Sequence, residues 1–184
     1  MKIKDITLIA IMLAVLIVCS QLSIPIGPVP ITLQTLAVLL IGYLLTPKNA
    51  LFVTILYALT GLLGLPFFSG FSGGLQSAFL PSFGFILAFI PAAYIQAKYL
   101  ATKGTDNSKT LILSGLQNIF ITYLIGLPYM AFILNRVMGF GMNFSAILIA
   151  GFIPFIPGDI AKLFISFLIA KRLIPILQTR STLE

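Results

Sequence analysis

The sequence predicts an all-α integral membrane protein, a bundle of six transmembrane helices that forms a single membrane-embedded domain over residues 1–184. Hydrophobic residues make up 59% of the chain and charged residues 8%, and its mean hydropathy is +1.13. A soluble domain carries about 25% charged residues, so this chain cannot cover itself with a wettable surface. Its apolar stretches are continuous rather than alternating, which favours helices over a transmembrane barrel.

The charges and the cysteine count exclude several classes of function. The net charge is +7, but the basic residues fall at the ends of apolar stretches rather than along one face, which argues against a nucleic-acid partner. Cys19 is the single cysteine and histidine is absent, so a His/Cys metal site has no ligands. Residues 104–110 resemble a phosphate-binding loop but lack its second glycine. We therefore expect no cofactor.

The first three helices follow from apolar stretches and breaks. Helix 1 is predicted over residues 6–22, which are too many for the apolar core of a signal peptide and lack a small-residue cleavage site, so we expect it to be retained. Prolines make residues 25–30 a stiff turn. Helices 2 and 3 are predicted over residues 31–45 and 50–65, on either side of a short basic turn.

Residues 66–84 form the longest uncharged irregular stretch, here called the Gly/Phe loop. Its glycines disfavour a stable helix, and its phenylalanines disfavour free solvation. Non-helical backbone near a membrane is tolerated where it is buried in protein or lines a cavity. We therefore expect a lid or cavity wall, with an aromatic lining from Phe67, Phe68, Phe71, Phe79 and Phe83.

Helices 4 and 5 are predicted over residues 85–100 and 110–127, with a solvated polar loop over 98–109 between them. Pro91 should kink helix 4, and Pro128 should end or bend helix 5. Residues 135–141 mark a further turn region. Residues 144–153 are too few to span a membrane core, which takes about 20 residues. They predict a partial helix before helix 6 over 157–177; a single kinked helix over 144–170 is the alternative.

Asp159 and Lys162 stand in this otherwise apolar last third, three residues apart, which places both side chains on one helical face. A helix that starts at Pro157 puts Asp159 in the first turn, where the helix dipole favours a carboxylate. Ionisable residues at bilayer depth are costly and indicate a functional site by default. The alternative is a structural ion pair that pins two helices together.

The distribution of basic residues predicts the orientation. With six helices, both termini share one side, and that side collects Lys2, Lys4, Lys48, Lys98, Lys103, Lys109, Lys171, Arg172 and Arg180. The positive-inside rule places it in the cytoplasm. The proline-rich turn, the Gly/Phe loop and the start of helix 6 then meet at the outer side of the plasma membrane. This arrangement predicts an outward-facing substrate cavity covered by loops.

A carboxylate and an ammonium on adjacent turns suit a solute that has both donors and acceptors, and a urea-like group would satisfy both. Capture of such a solute is therefore the main hypothesis. A solitary ion-coupled carrier with Asp159 as its proton site is the alternative, although proton relays usually use several acids. No nucleophile–base pair is visible, so we do not expect an enzyme.

Three segments of the chain, residues 29–37, 64–74 and 154–162, resemble the signature blocks of the BioY family. This family comprises the biotin-specific substrate-binding (S) components of energy-coupling-factor (ECF) transporters. The blocks occur in the family's order and, with the helix count, cover nearly the whole chain. The most specific is Pro157-Gly158-Asp159 followed by Lys162.

The resemblance implies that biotin binds near the outer face, with its ureido ring on Asp159 and Lys162. It also implies that Ala10 and Ala14, a small-xxx-small pair on helix 1, dock on a transmembrane coupling subunit. Two cytoplasmic ATPase subunits would then supply the energy.

The chain departs from the family over residues 80–85, where many members have a Gly-Pro-Thr/Ser-Gly-Gly-Tyr run. It also departs at Ser72 and Ile86, where some members carry Asn and Arg. We name Ser72, Gln34, Gln76 and Tyr94 as substitutes for the polar contacts that these members have. The full set of predicted substrate-binding residues is Asp159, Lys162, Gln34, Ser72, Gly73, Gly74, Gln76, Tyr94 and Asn118.

Overall fold

The computed structural model describes residues 3–182, and within that range six helices of at least 11 residues and one short helix form the bundle. The helices are α1 (Ile3–Gln21), α2 (Gln34–Leu44), α3 (Pro47–Leu62), α4 (Phe83–Lys103), α5 (Ser108–Phe132), the short α6 (Phe144–Gly151) and α7 (Ile156–Thr182). The prediction of a helical bundle is confirmed. Lys2, which the orientation prediction uses, lies outside the described residues, as do the side chains of Lys4 and Arg180.

Helix α2 occupies the centre of the bundle. Its residues from Ala37 to Tyr43 are all buried, and it packs against α1, α4 and α7. Helix α4 lies along α5 on one side and α3 on the other. A short helix that is apolar all round is suited to such a position, because every face of it meets protein.

Helix α5 is polar inside and apolar outside. Its buried positions include Ser114, Asn118 and Thr122, which share one face at four-residue spacing. The opposite face exposes large apolar side chains such as Phe120 and Leu124. Residues Phe83–Lys103 and Ser108–Val137 form the two described helices that are long and apolar enough to cross a membrane. The exposed apolar face of α5 suits a hydrocarbon environment.

Several predicted helix bounds are wrong. Helix 2 was predicted from residue 31 but α2 begins at Gln34, and helix 3 was predicted over 50–65 but α3 covers Pro47–Leu62.

Pro128 does not end α5, which continues to Phe132 and then through a π-helical turn over Ile133–Val137. A proline inside a helix removes one backbone hydrogen bond, and the helix can continue on both sides of it with a kink. The polar loop predicted over 98–109 is shorter, because α4 continues to Lys103 before the chain turns at Gly104.

The helix is interrupted between α6 and α7. The prediction of a partial helix is therefore confirmed, and the alternative of one kinked helix is wrong. Phe152 leaves the helical conformation (φ −131°, ψ −61°), and a 3₁₀ turn over Ile153–Phe155 follows. Helix α7 then begins at Ile156, which places Asp159 in its first turn.

The connections at the end of the bundle near the start of α7 are ordered. Between α1 and α2, strand Ser23–Ile24 pairs antiparallel with strand Ile31–Thr32. The Gly/Phe loop contains two 3₁₀ turns, Ser69–Phe71 and Leu75–Phe79. The loop is anchored to α3, since the Gly74 amide donates to the carbonyl of Gly61 at 2.8 Å.

Substitution of Gly61 by Ala should lower the melting temperature of the protein. A Cβ at this position would collide with the ring of Phe68, which is buried and packs edge-on against Tyr57. Overpacking of this kind costs about 1–3 kcal/mol. Leu59→Ala is the control, because Leu59 is exposed on the same helix. Equal melting temperatures for the two variants would contradict the prediction.

Candidate functional site

The site is a cavity of about 230 Å³ at the end of the bundle where α7 begins. The β-hairpin, the first turn of α2, the Gly/Phe loop and the adjoining parts of α4, α5 and α7 enclose it. Its polar lining consists of Thr32, Gln34, Thr35, Ser69, Ser72, Ser77, Ser82, Thr122, Asp159 and Lys162. Its volume lies just below the 300–1,000 Å³ of typical drug-sized sites, so it suits a small solute.

Asp159 and Lys162 form a buried ion pair on the α7 wall of the cavity. The Lys162 Nζ lies 3.0 Å from Asp159 Oδ1, and the two residues are 6% and 5% exposed. Lys162 also donates to Thr35 Oγ1 at 3.4 Å, and the hydroxyl of Tyr123 donates to Asp159 Oδ2. The pair thereby joins α7 to both α2 and α5.

These contacts leave hydrogen-bonding capacity on both charged groups. The ammonium has three donors, of which two are used, and each carboxylate oxygen has two lone pairs. A hydrogen-bond acceptor and a donor of a bound solute could therefore both be satisfied here. Asp159 and Lys162 are thus not tied solely to each other, and a cavity lies beside them.

Gln34 lines the cavity and links three segments. Its Oε1 accepts from the Thr32 hydroxyl at 3.0 Å, and its Nε2 donates to the Tyr57 hydroxyl at 2.6 Å. Tyr57 in turn donates to the carbonyl of Phe67 at 2.9 Å. These hydrogen bonds fix the side chain of Gln34. They use one of the two N–H groups on its Nε2, so the second N–H makes neither of these bonds.

The Gly/Phe loop presents serine hydroxyls to the cavity. Ser72 donates to the carbonyl of Ser69 at 2.9 Å, and both residues line the cavity. Ser77 is 2% exposed, also lines the cavity, and its Oγ has no hydrogen-bond partner among the described residues. Ser77 was not among the residues predicted from the sequence. A serine in a glycine-rich stretch carries no periodic signal that marks it as buried.

Five predicted substrate-binding residues do not belong to the cavity lining: Gly73, Gly74, Gln76, Tyr94 and Asn118. The two glycines have structural roles. A Cβ on Gly73 would collide with the Leu65 carbonyl, and Gly74 has φ +91°, a backbone conformation that favours glycine. Gln76 is exposed and donates to the Gly73 carbonyl.

Tyr94 and Asn118 lie beyond the cavity for different reasons. Tyr94 is more than one turn past Phe89, the last residue of α4 that lines the cavity, and its ring lies 5.8 Å from the Lys98 ammonium. Asn118 is fully buried and donates to Gln96 Oε1 at 2.7 Å, which joins α5 to α4. Contact of these residues with a substrate stays a prediction.

The aromatic wall differs from the predicted one. Phe68 and Phe83 line the cavity as predicted, but Phe71 and Phe79 are 72% and 63% exposed, and Phe67 packs against the core. Further aromatic lining comes from Phe85, Phe89 and Phe155. The 3₁₀ turns of the loop rotate Phe71 and Phe79 outward, which a count of phenylalanines cannot foresee.

Comparisons with known proteins agree with one another. The model of the BioY family matches residues 1–179 of this chain. A protein of Pyrococcus horikoshii named "Probable biotin transporter BioY" is 38% identical over 94% of this chain and 98% of its own length. The biotin transporter BioY of Thermotoga maritima is 34% identical over 87% of this chain and 89% of its own length.

A solved structure is similar as well. It is the crystal structure of the S-component for biotin from an ECF-type ABC transporter, which is 28% identical to this chain. The two superimpose with a TM-score of 0.83 over 94% of this chain and 92% of that chain.

Tyr123→Phe should lower the thermal stability of the protein, because the substitution removes the hydroxyl that donates to the Asp159 carboxylate. Hydrogen bonds to charged groups contribute about 1.5–3 kcal/mol. Melting of the purified protein in detergent measures the effect. Tyr94→Phe is the matched control, since the described hydrogen bond to the Asp159 carboxylate comes from Tyr123 and not from Tyr94. A loss as large in the control as in Tyr123→Phe would contradict the assignment.

Proposed function

The chain belongs to the BioY family, and from that premise we propose that it captures biotin for uptake, as the S component of an ECF-type transporter. The BioY proteins it resembles are named biotin transporters, which are membrane proteins. The observation that carries the proposal is the buried Asp159–Lys162 pair on the cavity wall.

The ureido ring of biotin has two N–H donors beside one carbonyl acceptor. A carboxylate accepts from such N–H groups, and an ammonium donates to such a carbonyl. Asp159 and Lys162 offer both functions 3.0 Å apart in a site shielded from water. Gln34, Thr35 and Thr122 supply further polar groups of the same cavity.

The apolar part of biotin would lie against the aromatic wall. Phe68, Phe83 and Phe89 are each buried and line the cavity. Burial of apolar surface contributes about 25 cal/mol per Å², so an alkyl chain and a thioether ring gain affinity there. Ligand sites combine such apolar walls with a few placed polar groups.

We propose that the cavity opens to the outside of the cell and that both termini are cytoplasmic. Lys48, Lys103 and Lys109 are exposed at the helix ends that flank the α2–α3 and α4–α5 connections. Arg136, in the π-helical turn after α5, is the one basic side chain in the described connections at the cavity end. The positive-inside rule then orients the bundle in the plasma membrane with the cavity outward.

A transmembrane coupling subunit and two ATPase subunits are the proposed partners. Ala10 and Ala14 are exposed on one face of α1, so another helix can approach that face closely. ATP hydrolysis would take place on the ATPase subunits, and this chain would have no catalytic role.

The ion-coupled carrier is not proposed. Asp159 is the single buried carboxylic acid among the residues whose burial is described, and it already accepts hydrogen bonds from Lys162 and Tyr123. A proton relay generally needs further acidic groups along the membrane.

Asp159→Asn and Lys162→Met should each weaken biotin binding by about 10- to 100-fold, because each removes a hydrogen bond that involves a charge. Calorimetric titration of the purified protein with biotin measures this. Asp106→Asn and Lys103→Met, both at exposed positions of the α4–α5 region, are the matched controls and should bind as the wild type does.

Each single variant also leaves one buried charge without its partner, which costs about 3–5 kcal/mol of stability. The double variant Asp159→Leu/Lys162→Met addresses this problem, since an apolar replacement of a buried ion pair often preserves stability. It should fold and fail to bind biotin. A folded double variant with wild-type affinity would refute the proposal and leave the pair a purely structural role.

We further propose that the Gly/Phe loop covers the bound biotin and that α1 holds it closed. Gln21 Nε2 donates to the carbonyls of Phe68 at 3.1 Å and Pro66 at 3.3 Å, and Gln21 Oε1 accepts from the Phe71 amide at 2.9 Å. Ser20 donates to the carbonyl of Phe67 at 2.5 Å.

Gln21→Leu should therefore speed the dissociation of biotin by about 3- to 10-fold, as expected for the loss of one to two net hydrogen bonds. A filter-binding chase with labelled biotin measures the rate. Gln117→Leu on α5 is the matched control, since the described hydrogen bonds to the loop come from Gln21 and not from Gln117. Equal dissociation rates in the wild type and Gln21→Leu would argue against the closed loop.

A further inference from the structure

A tyrosine outside the cavity lining connects two parts of the cavity wall. Tyr57 on α3 is 1% exposed, and its hydroxyl lies between Gln34 at the start of α2 and Phe67 in the Gly/Phe loop. Gln34 and Phe68, the residue after Phe67, both line the cavity, whereas Tyr57 does not. One buried hydroxyl therefore joins the part of the wall formed by α2 to the part formed by the loop.

The direction of these hydrogen bonds is determined by their partners. A tyrosine hydroxyl has one proton, and a backbone carbonyl can only accept. Because the Phe67 carbonyl takes this proton at 2.9 Å, the Tyr57 oxygen must accept from Gln34, whose Nε2 lies 2.6 Å away. The Thr32 hydroxyl donates to Gln34 Oε1 at 3.0 Å. The Gln34 amide thus has one favoured orientation, since a flip would place like groups against each other at both ends.

The ring of Tyr57 has a separate role from its hydroxyl. It packs edge-on against Phe68, with 5.5 Å between the ring centroids, and Phe68 packs in the same way against Phe83 at 6.0 Å. Both phenylalanines are buried and line the cavity. The substitution Tyr57→Phe keeps this row of rings and removes the hydroxyl alone, so the contribution of the hydrogen bonds can be measured separately.

We propose that Tyr57 is a positioning residue for ligand binding, whose hydroxyl holds the Gln34 amide in one orientation and ties it to the Gly/Phe loop. The inference rests on the proposed capture of biotin. A side chain that is fixed before binding loses less conformational entropy when a solute arrives. A loop held at Phe67 also keeps Phe68 in the apolar wall. Loss of the hydroxyl releases both parts, so Gln34 and the loop contribute to affinity jointly.

The first test is calorimetric titration of the purified full chain with biotin. Tyr57→Phe should weaken binding by about tenfold, because two hydrogen bonds are lost. Tyr43→Phe is the matched control, since Tyr43 is also buried, donates to the Leu111 carbonyl at 2.9 Å and lies outside the cavity lining. The control should also lower the melting temperature, but it should leave the affinity unchanged.

A double-mutant cycle tests whether Tyr57 acts through Gln34, because residues of one hydrogen-bond network have non-additive effects. Tyr57→Phe should weaken binding by about tenfold in the wild type and by about threefold or less in the Gln34→Leu background, where only the bond to Phe67 is left to lose. Thr32→Val is a second variant that keeps Tyr57 and removes the donor to the other end of the amide. It should weaken binding as well.

Hydrogen exchange without ligand measures the effect on the loop. The amides of Phe68 and Phe71 are both hydrogen-bonded in the structure. An amide exchanges faster when its segment opens locally at a lower free energy. Both amides should exchange about threefold faster or more in Tyr57→Phe, as expected for the loss of one hydrogen bond, and at the wild-type rate in Tyr43→Phe.

The outcomes separate the two proposals. A wild type that does not bind biotin refutes the proposed function. A wild type that binds biotin, together with a Tyr57→Phe variant that binds equally well, overturns the inference alone. So does an undiminished effect of Tyr57→Phe in the Gln34→Leu background, or unchanged exchange of the loop amides. An equal loss of affinity in Tyr43→Phe overturns it too, since the effect would then follow from stability in general.

Discussion

The arrangement of the site depends on the buried ion pair between Asp159 and Lys162. Removing two charges from water is costly, and their attraction repays the cost only with good geometry and further hydrogen bonds. Thr35 on α2 and Tyr123 on α5 supply those bonds. The helix break before α7 adds the favourable end of a helix dipole near Asp159. Three helices are thereby positioned by one polar cluster, and the cavity lies beside it.

The interior of the bundle is held by polar contacts and close packing, which suits a protein whose outside is apolar. In lipid, helices gain little from hydrophobic burial against one another and associate through packing and hydrogen bonds. The bond from Asn118 to Gln96 joins α5 to α4 in this way. Gly42 on α2 provides the room, since a Cβ there would collide with the Gln96 side chain. The cavity thus sits in a scaffold fixed by contacts that do not need water.

The sequence was sufficient for the helices and the charged pair, because both depend on local signals. Apolar stretches mark the helices, and Asp159 and Lys162 stand out as charges among apolar residues. Pro128 was misleading, because α5 continues through it to Phe132. The position of Ser77 in the cavity lining and the outward position of Phe71 were not predicted. Both depend on the two 3₁₀ turns of the loop and on its tertiary contacts with α1 and α5. No periodicity encodes such contacts.

The two sides of the cavity are held by different kinds of contact. The α7 side is fixed by an ion pair buried among three helices. The Gly/Phe loop side is fixed by the buried Phe68 and by hydrogen bonds from Ser20, Gln21 and Tyr57 to its backbone, while Phe71 on it is exposed. Segments with few buried contacts open locally at lower free energy than the core does. Local opening of the exposed part of the loop would leave the charged pair in place. Because Gln21 and the exposed Ala14 lie on the same helix, a partner that moves α1 would act on the loop and leave the charges undisturbed.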